Sequence, residues 1–264
     1  TLLERNDEGR PPVTDRIERS KLKLRTLFGG TDRVFAETDP DFAKLRDRFV
    51  FGDIQDKVNL PDAVKALVSL AVLATIGERE TIAAHARAAL RTGASPESIK
   101  ETIYHIAPWI GFPKAQAALR EVNGALSLAG FPLPLPDAGR VTEETRMEAG
   151  EEILRHLGLA AEPSDSPAVT ILNEAALKGF ACGDIASRGV LSLPLRGLIW
   201  FVVGAALGAD ADTTDELVEM NLRLGNTEEE LRAALVLTVP YIGVLRAREV
   251  MRYIDTREEE APED

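Results

Sequence analysis

The feature that most constrains this chain is an internal duplication. Phe51-Gly52-Asp53-Ile54 returns as Cys182-Gly183-Asp184-Ile185, 131 residues later. The same offset pairs Leu60 with Leu191, Lys65 with Arg196, Leu67 with Leu198, Ala74 with Ala205 and Gly77 with Gly208. One inserted residue then changes the offset to 132. Gly93 pairs with Gly225, Pro108 with Pro240, Ile110 with Ile242, Gly111 with Gly243 and Ala115 with Ala247. Matches that run in order through a whole unit mean that one fold is built twice.

That fold is all-α. Aromatic residues make up 5% of the chain, and no stretch alternates apolar and polar residues between turn pairs as strands do. Helix signals recur in both halves. Ser95 can cap a helix with Pro96 in its first position. Thr227-Glu228-Glu229-Glu230 has the spacing of a capping box. Gly77, Gly93, Gly208 and Gly225 stand where helices should stop. Phe131-Pro132-Leu133-Pro134-Leu135-Pro136 cannot continue a helix, because its prolines lack amide donors. It separates repeat one, expected at about 14–130, from repeat two, at about 140–256. The first dozen residues read as an arm, and Arg257 to Asp264 as a solvated acidic tail.

Charge and cysteine content limit the function. A formal net charge of −12 argues against nucleic acid or an anionic membrane, but leaves room for a local basic pocket. The single cysteine, Cys182, permits no intramolecular disulfide and no paired-thiol redox motif. A reducing, cytoplasmic setting is expected. The first residues contain no apolar signal core. Leu191 to Leu207 is short for a membrane span and carries Pro194 and Arg196, so it reads as a buried helix. No nucleotide fingerprint, phosphate loop or His-Glu-x-x-His motif is present, and the three histidines are scattered. No cofactor and no metal are expected.

Several segments carry a resemblance to a known family. They are Lys65-Ala66-Leu67-Val68 through Gly77-Glu78-Arg79-Glu80, then His85-Ala86-Arg87-Ala88-Ala89, Gly93, and His105-Ile106-Ala107-Pro108-Trp109-Ile110-Gly111-Phe112-Pro113-Lys114-Ala115. In residue type and spacing these resemble the carboxymuconolactone decarboxylases, and Arg146-Met147-Glu148-Ala149-Gly150 resembles that family's opening helix. The resemblance implies a small helical domain that oligomerises. For a fused pair it implies a homotrimer closing a ring of six domains. The apolarity of residues 63–76 and 191–207 points the same way. Alkylhydroperoxidases of the same superfamily carry two cysteines where this chain has Glu78 and Thr81, so dithiol peroxidase chemistry is not expected.

Repeat two departs from the pattern: Leu237 replaces His105, and Leu217 falls near the place of His85, allowing for the inserted residue. The resemblance therefore implies chemistry in repeat one, on a small carboxylated lactone or keto acid. His85 is the candidate acid–base, because imidazole exchanges protons near neutral pH. It can equally be a core histidine bonded to a backbone carbonyl. His105 can line the same pocket, orient His85, or sit at a subunit contact. Glu78, with Glu80, can polarise an imidazole or merely suit a helix start. Lys65 and Arg196 can bind a substrate carboxylate or be buried stems that snorkel. Trp109, one turn from His105, is a candidate substrate wall. Asp53 and Asp184, kept in both repeats, are expected to anchor helices. A non-catalytic ligand binder or scaffold of the same fold is the alternative. A redox role for Cys182 alone is a third reading.

Overall fold

The computed structural model describes residues 15–30, 33–159 and 165–260. The N-terminal arm lies outside them. Among the described residues there is no strand. Repeat one runs through α1 (Arg16–Phe28), α2 (Arg33–Thr38) and α3 (Pro40–Asp47), the last continuing as a π-helical segment Arg48–Ile54. Then come α4 (Asp62–Ile76), α5 (Ile82–Arg91), α6 (Pro96–Ile110) and α7 (Phe112–Leu128). Repeat two repeats the series. It has α8 (Arg146–Leu157), α9 (Pro167–Thr170) continuing as a π-helical segment Ile171–Ala186, α10 (Leu193–Leu207), α11 (Ala211–Arg223), α12 (Glu228–Ile242) and α13 (Val244–Glu260). Helix α13 carries the backbone through the first part of the expected acidic tail as far as Glu260, so that part is helical. Ala261 to Asp264 lie outside the described residues.

The local signals act as their chemistry demands. Ser95 Oγ accepts the Ser98 amide at 3.0 Å, opening α6. Thr227 and Glu230 close a reciprocal capping box on α12. Gly77 and Gly208 end α4 and α10 at φ of 79° and 80°, backbone that other residues adopt at a cost.

The duplicated Gly-Asp-Ile motif has a packing cause. A Cβ on Gly52 would lie 2.6 Å from the Arg16 carbonyl oxygen, and one on Gly183 would overlap the Arg146 carbonyl oxygen. Glycine therefore lets the first helix of each repeat lie directly on the π-helical segment. The adjacent acid grips the same arginine: Asp53 pairs with Arg16 at 2.7 Å, and Asp184 with Arg146 at 2.6 Å. The acids anchor helices in both repeats, as their recurrence suggests.

The centre is made by both repeats together. Helices α4 and α10 pack on each other, α12 lies on α4, and α6 lies on α10. Val68, Leu70, Ala71 and Val72 of α4, with Leu198, Ile199 and Val202 of α10, are wholly buried in one continuous core. Helices apolar on every side need cover on every side. The two repeats supply it to each other, so the apolarity of these helices is accounted for within one chain. Among the described residues no helix is long and apolar enough to cross a membrane.

Candidate active site

Helix α5 begins just after the turn Gly77-Glu78-Arg79-Glu80, and Glu78 accepts the Thr81 amide at 3.2 Å. One turn in, His85 reaches the wall of a cavity of about 580 Å³. Its Nδ1–H donates to the Thr81 carbonyl at 3.0 Å, which leaves Nε2 as the free basic nitrogen. Nε2 faces the hydroxyl of Tyr241 at 3.5 Å. Phe28 from the end of α1 meets the imidazole edge-on, and Phe51 from the π-helical segment backs Phe28. Leu24, Leu73 and Ile76 complete the apolar part of the wall.

The polar part comes from one stripe of α5. Thr81, Ala84, His85, Arg87 and Arg91 all line the cavity, with Glu78, Glu80 and Arg46 around them. Arg91 also donates to the Leu27 carbonyl at 2.8 Å, and Arg46 is paired with Asp47 at 2.9 Å. Arg87 has no ion-pair partner among the described residues. Behind His85 a recess of about 20 Å³, the size of one water, is lined by Gln55, Asp62 and Ser69.

Burial sets the protonation of the pair. It lowers the His85 pKa below its ordinary 6.5, against the raising effects of the Thr81 carbonyl and the Glu78 charge. It raises Tyr241 above its ordinary 10.0, against Ser69 and Gln55 beside the phenol. At neutral pH the site therefore holds a neutral base facing a neutral acid. The Glu78 carboxylate caps the turn and keeps imidazole basicity from falling further.

The other residues singled out from sequence lie elsewhere. His105 does not line this cavity. It is wholly buried between the repeats, where Nε2–H donates to the Arg196 carbonyl at 3.0 Å and Nδ1 accepts from the Arg196 guanidinium at 3.1 Å. Arg196 in turn pairs with Glu101 at 2.9 Å, and Glu101 with Arg188 at 2.9 Å. Desolvation, then the Arg196 charge, hold His105 well below 6.5. A neutral imidazole satisfied on both nitrogens and a guanidinium already paired serve the interface between the repeats. Lys65 is also outside the cavity, donating to the Gln55 carbonyl at 2.9 Å beside Asp62. Trp109 lines a different cavity, in repeat two. Cys182 is buried among apolar groups, its thiol pushed up to about 12, which leaves almost no thiolate for redox chemistry.

Sequence reasoning missed four polar lining residues. Arg87 and Arg91, four apart on the helix of His85, were detectable from helical spacing. Arg46 and Tyr241 were not, since only packing brings them here.

Fold and site together define a class: a duplicated all-α domain with an imidazole facing a phenol in a partly apolar, arginine-bearing cavity. The model of the carboxymuconolactone decarboxylase family matches residues 40–123 and again 173–256. The chain belongs to that family, as a tandem two-domain member. A curated relative, the 4-carboxymuconolactone decarboxylase of Acinetobacter baylyi, is 32% identical over 104 residues, spanning 37% of this chain and 78% of that protein. The fold matches the crystal structure of a protein assigned as a gamma-carboxymuconolactone decarboxylase subunit from Burkholderia xenovorans LB400. There the TM-score is 0.56 at 21% identity, over 95% of this chain and all of the other.

Proposed function

We propose that this protein is a cofactor-free acid–base enzyme that decarboxylates a small carboxylated lactone, with its active site in the cavity of repeat one. The observation that carries the reading is the His85–Tyr241 pair, a neutral imidazole facing a neutral phenol in a cavity bearing Arg87 and Arg91. Breaking the bond to a departing carbon dioxide leaves an electron pair that a conjugated lactone carbonyl can take up as an enolate. The carbon then needs a proton. Tyr241 is placed to donate it, and His85 to hold the phenol and exchange the proton with solvent. Apo distances at such sites tighten when substrate enters. Arg87 and Arg91 offer planar donors for a substrate carboxylate, the role that Lys65 and Arg196 do not fill. Positioning an anionic substrate beside guanidinium groups also stabilises charge as it moves onto the carbonyl oxygen.

The experiment is to incubate the protein with 4-carboxymuconolactone, the substrate in the name of its curated relative, and follow carbon dioxide release. Activity that His85→Gln removes from a protein still folded by circular dichroism supports the reading. A folded His85→Gln protein with full activity refutes the role of His85. Substrate binding without any turnover turns the assignment to a ligand-binding member of the family.

A further inference from the structure

Repeat two keeps a cavity although it has lost the acid–base group. This cavity is about 750 Å³, larger than the one around His85, and within the range of small-molecule sites. Leu217 stands where repeat one has His85, and a leucine there should fill part of the space. A second exchange prevents that. Gly204 stands where repeat one has Leu73, and a Cβ on Gly204 would lie 2.5 Å from Leu217 Cδ1. The leucine packs into room that the glycine vacates, and the opening persists.

A third exchange gives the wall its character. Trp200 replaces Ser69, and its ring is 4% exposed, stacked on His105 at 4.6 Å and edge-on to Trp109 at 5.4 Å. Both tryptophans line the cavity with Leu177, Val203 and Met220. Charge differs as well. Glu216 and Glu219 face one arginine, Arg223, at this rim, whereas three arginines line the other cavity with two glutamates.

We propose that the cavity of repeat two is a binding site, without turnover, for a neutral cyclic small molecule. Its ring lies against Trp109 and Trp200. The acidic rim disfavours carboxylates, so the site does not compete for the anionic substrate proposed for repeat one. Binding here is read without turnover, so its failure and failure of the decarboxylase reading are separate results.

The chain has two tryptophans, and both are in this wall. Indole emission excited at the red edge of its band therefore reports on this cavity. The probes are ε-caprolactone, a transparent neutral lactone, and hexanoate, an anion with as many carbons. We expect a saturable emission change with the lactone and affinity at least about tenfold weaker for hexanoate. The lactone response should persist in His85→Gln. It should vanish in Thr213→Phe, which places a ring at an exposed position of the mouth, or in Ala209→Leu if the first variant misfolds. A response that never saturates, equal affinity for both probes, or binding indifferent to these mouth variants overturns the proposal.

Discussion

The cavities of the two repeats occupy equivalent places in two copies of one domain, and they differ at a few facing positions. Repeat one has His85, Ser69 and Leu73 where repeat two has Leu217, Trp200 and Gly204. Each also receives one aromatic residue from the other copy: Tyr241 of α12 enters the first cavity, and Trp109 of α6 enters the second. The anchoring features did not diverge, for each Gly-Asp pair holds the arginine that opens its own repeat's first helix, Arg16 or Arg146. The difference teaches that scaffold and chemistry separate cleanly here. Glycines and ion pairs that fix helix approach are kept, while the candidate acid–base histidine stands in one repeat and a leucine in the other.

The comparison breaks most sharply at His85. Its replacement by Gln should lower kcat by about two to four orders of magnitude, the usual worth of a positioned acid–base, with the fold intact. Comparable activity in that variant would mean the two cavities do not differ as described. Stability should be asymmetric too. Glu101 holds both Arg196 and Arg188 between the repeats, whereas the equivalent position in repeat two is Ala233. Stripping one partner from a buried ion network costs about 3–5 kcal/mol, so Glu101→Ala should lose that much in denaturant unfolding. Lys65→Met, at the position paired with Arg196, removes the charged hydrogen bond to the Gln55 carbonyl and the ion pair with half-exposed Asp62, and should cost about 1–3 kcal/mol. Equal losses would deny the asymmetry.

Tyr241→Phe tests whether repeat two contributes to the site in repeat one. A fall of about a hundredfold in kcat, the low end for loss of a positioned proton donor, with KM little changed, is expected. The smallest effect is in pH. His85 and His105 both have pKa values lowered by burial from 6.5. Below pH 6.5 the unfolded chain takes up protons that the native chain resists, so stability is full above that pH and declines as pH falls. The acid limb of kcat/KM should also lie below 6.5, where Nε2 is protonated. In His85→Gln the kinetic limb should disappear, while acid-side destabilisation persists through His105.

Much of the scaffold was legible in the sequence because it rests on local rules. Ser95, Thr227, Gly77 and Gly208 act through neighbours within a few residues, and duplication made each reading a double one. His85 could be placed on an apolar face from helical spacing, and Arg87 and Arg91 were there to be read by the same rule. His105, Arg196 and Lys65 show where the reasoning ran out. Buried polar residues near a candidate histidine look like site residues until their partners are known, and the partner of His105 is 91 positions away. Tyr241 is 156 positions from His85, brought there by the packing of α12 upon α4, which no periodicity encodes.

The exchange of Tyr241 and Trp109 has a consequence for how such a site survives dilution. A residue that enters from a separate subunit leaves whenever the subunits part, so the site is only as complete as the association is tight. Here the phenol belongs to the same polypeptide as the imidazole. Covalent linkage replaces an association constant with a fixed effective concentration, set by the chain between α5 and α12. The pairing of Tyr241 with His85 is thereby a first-order property of one molecule. Duplication and fusion free this half of the site from any dependence on how much protein is present.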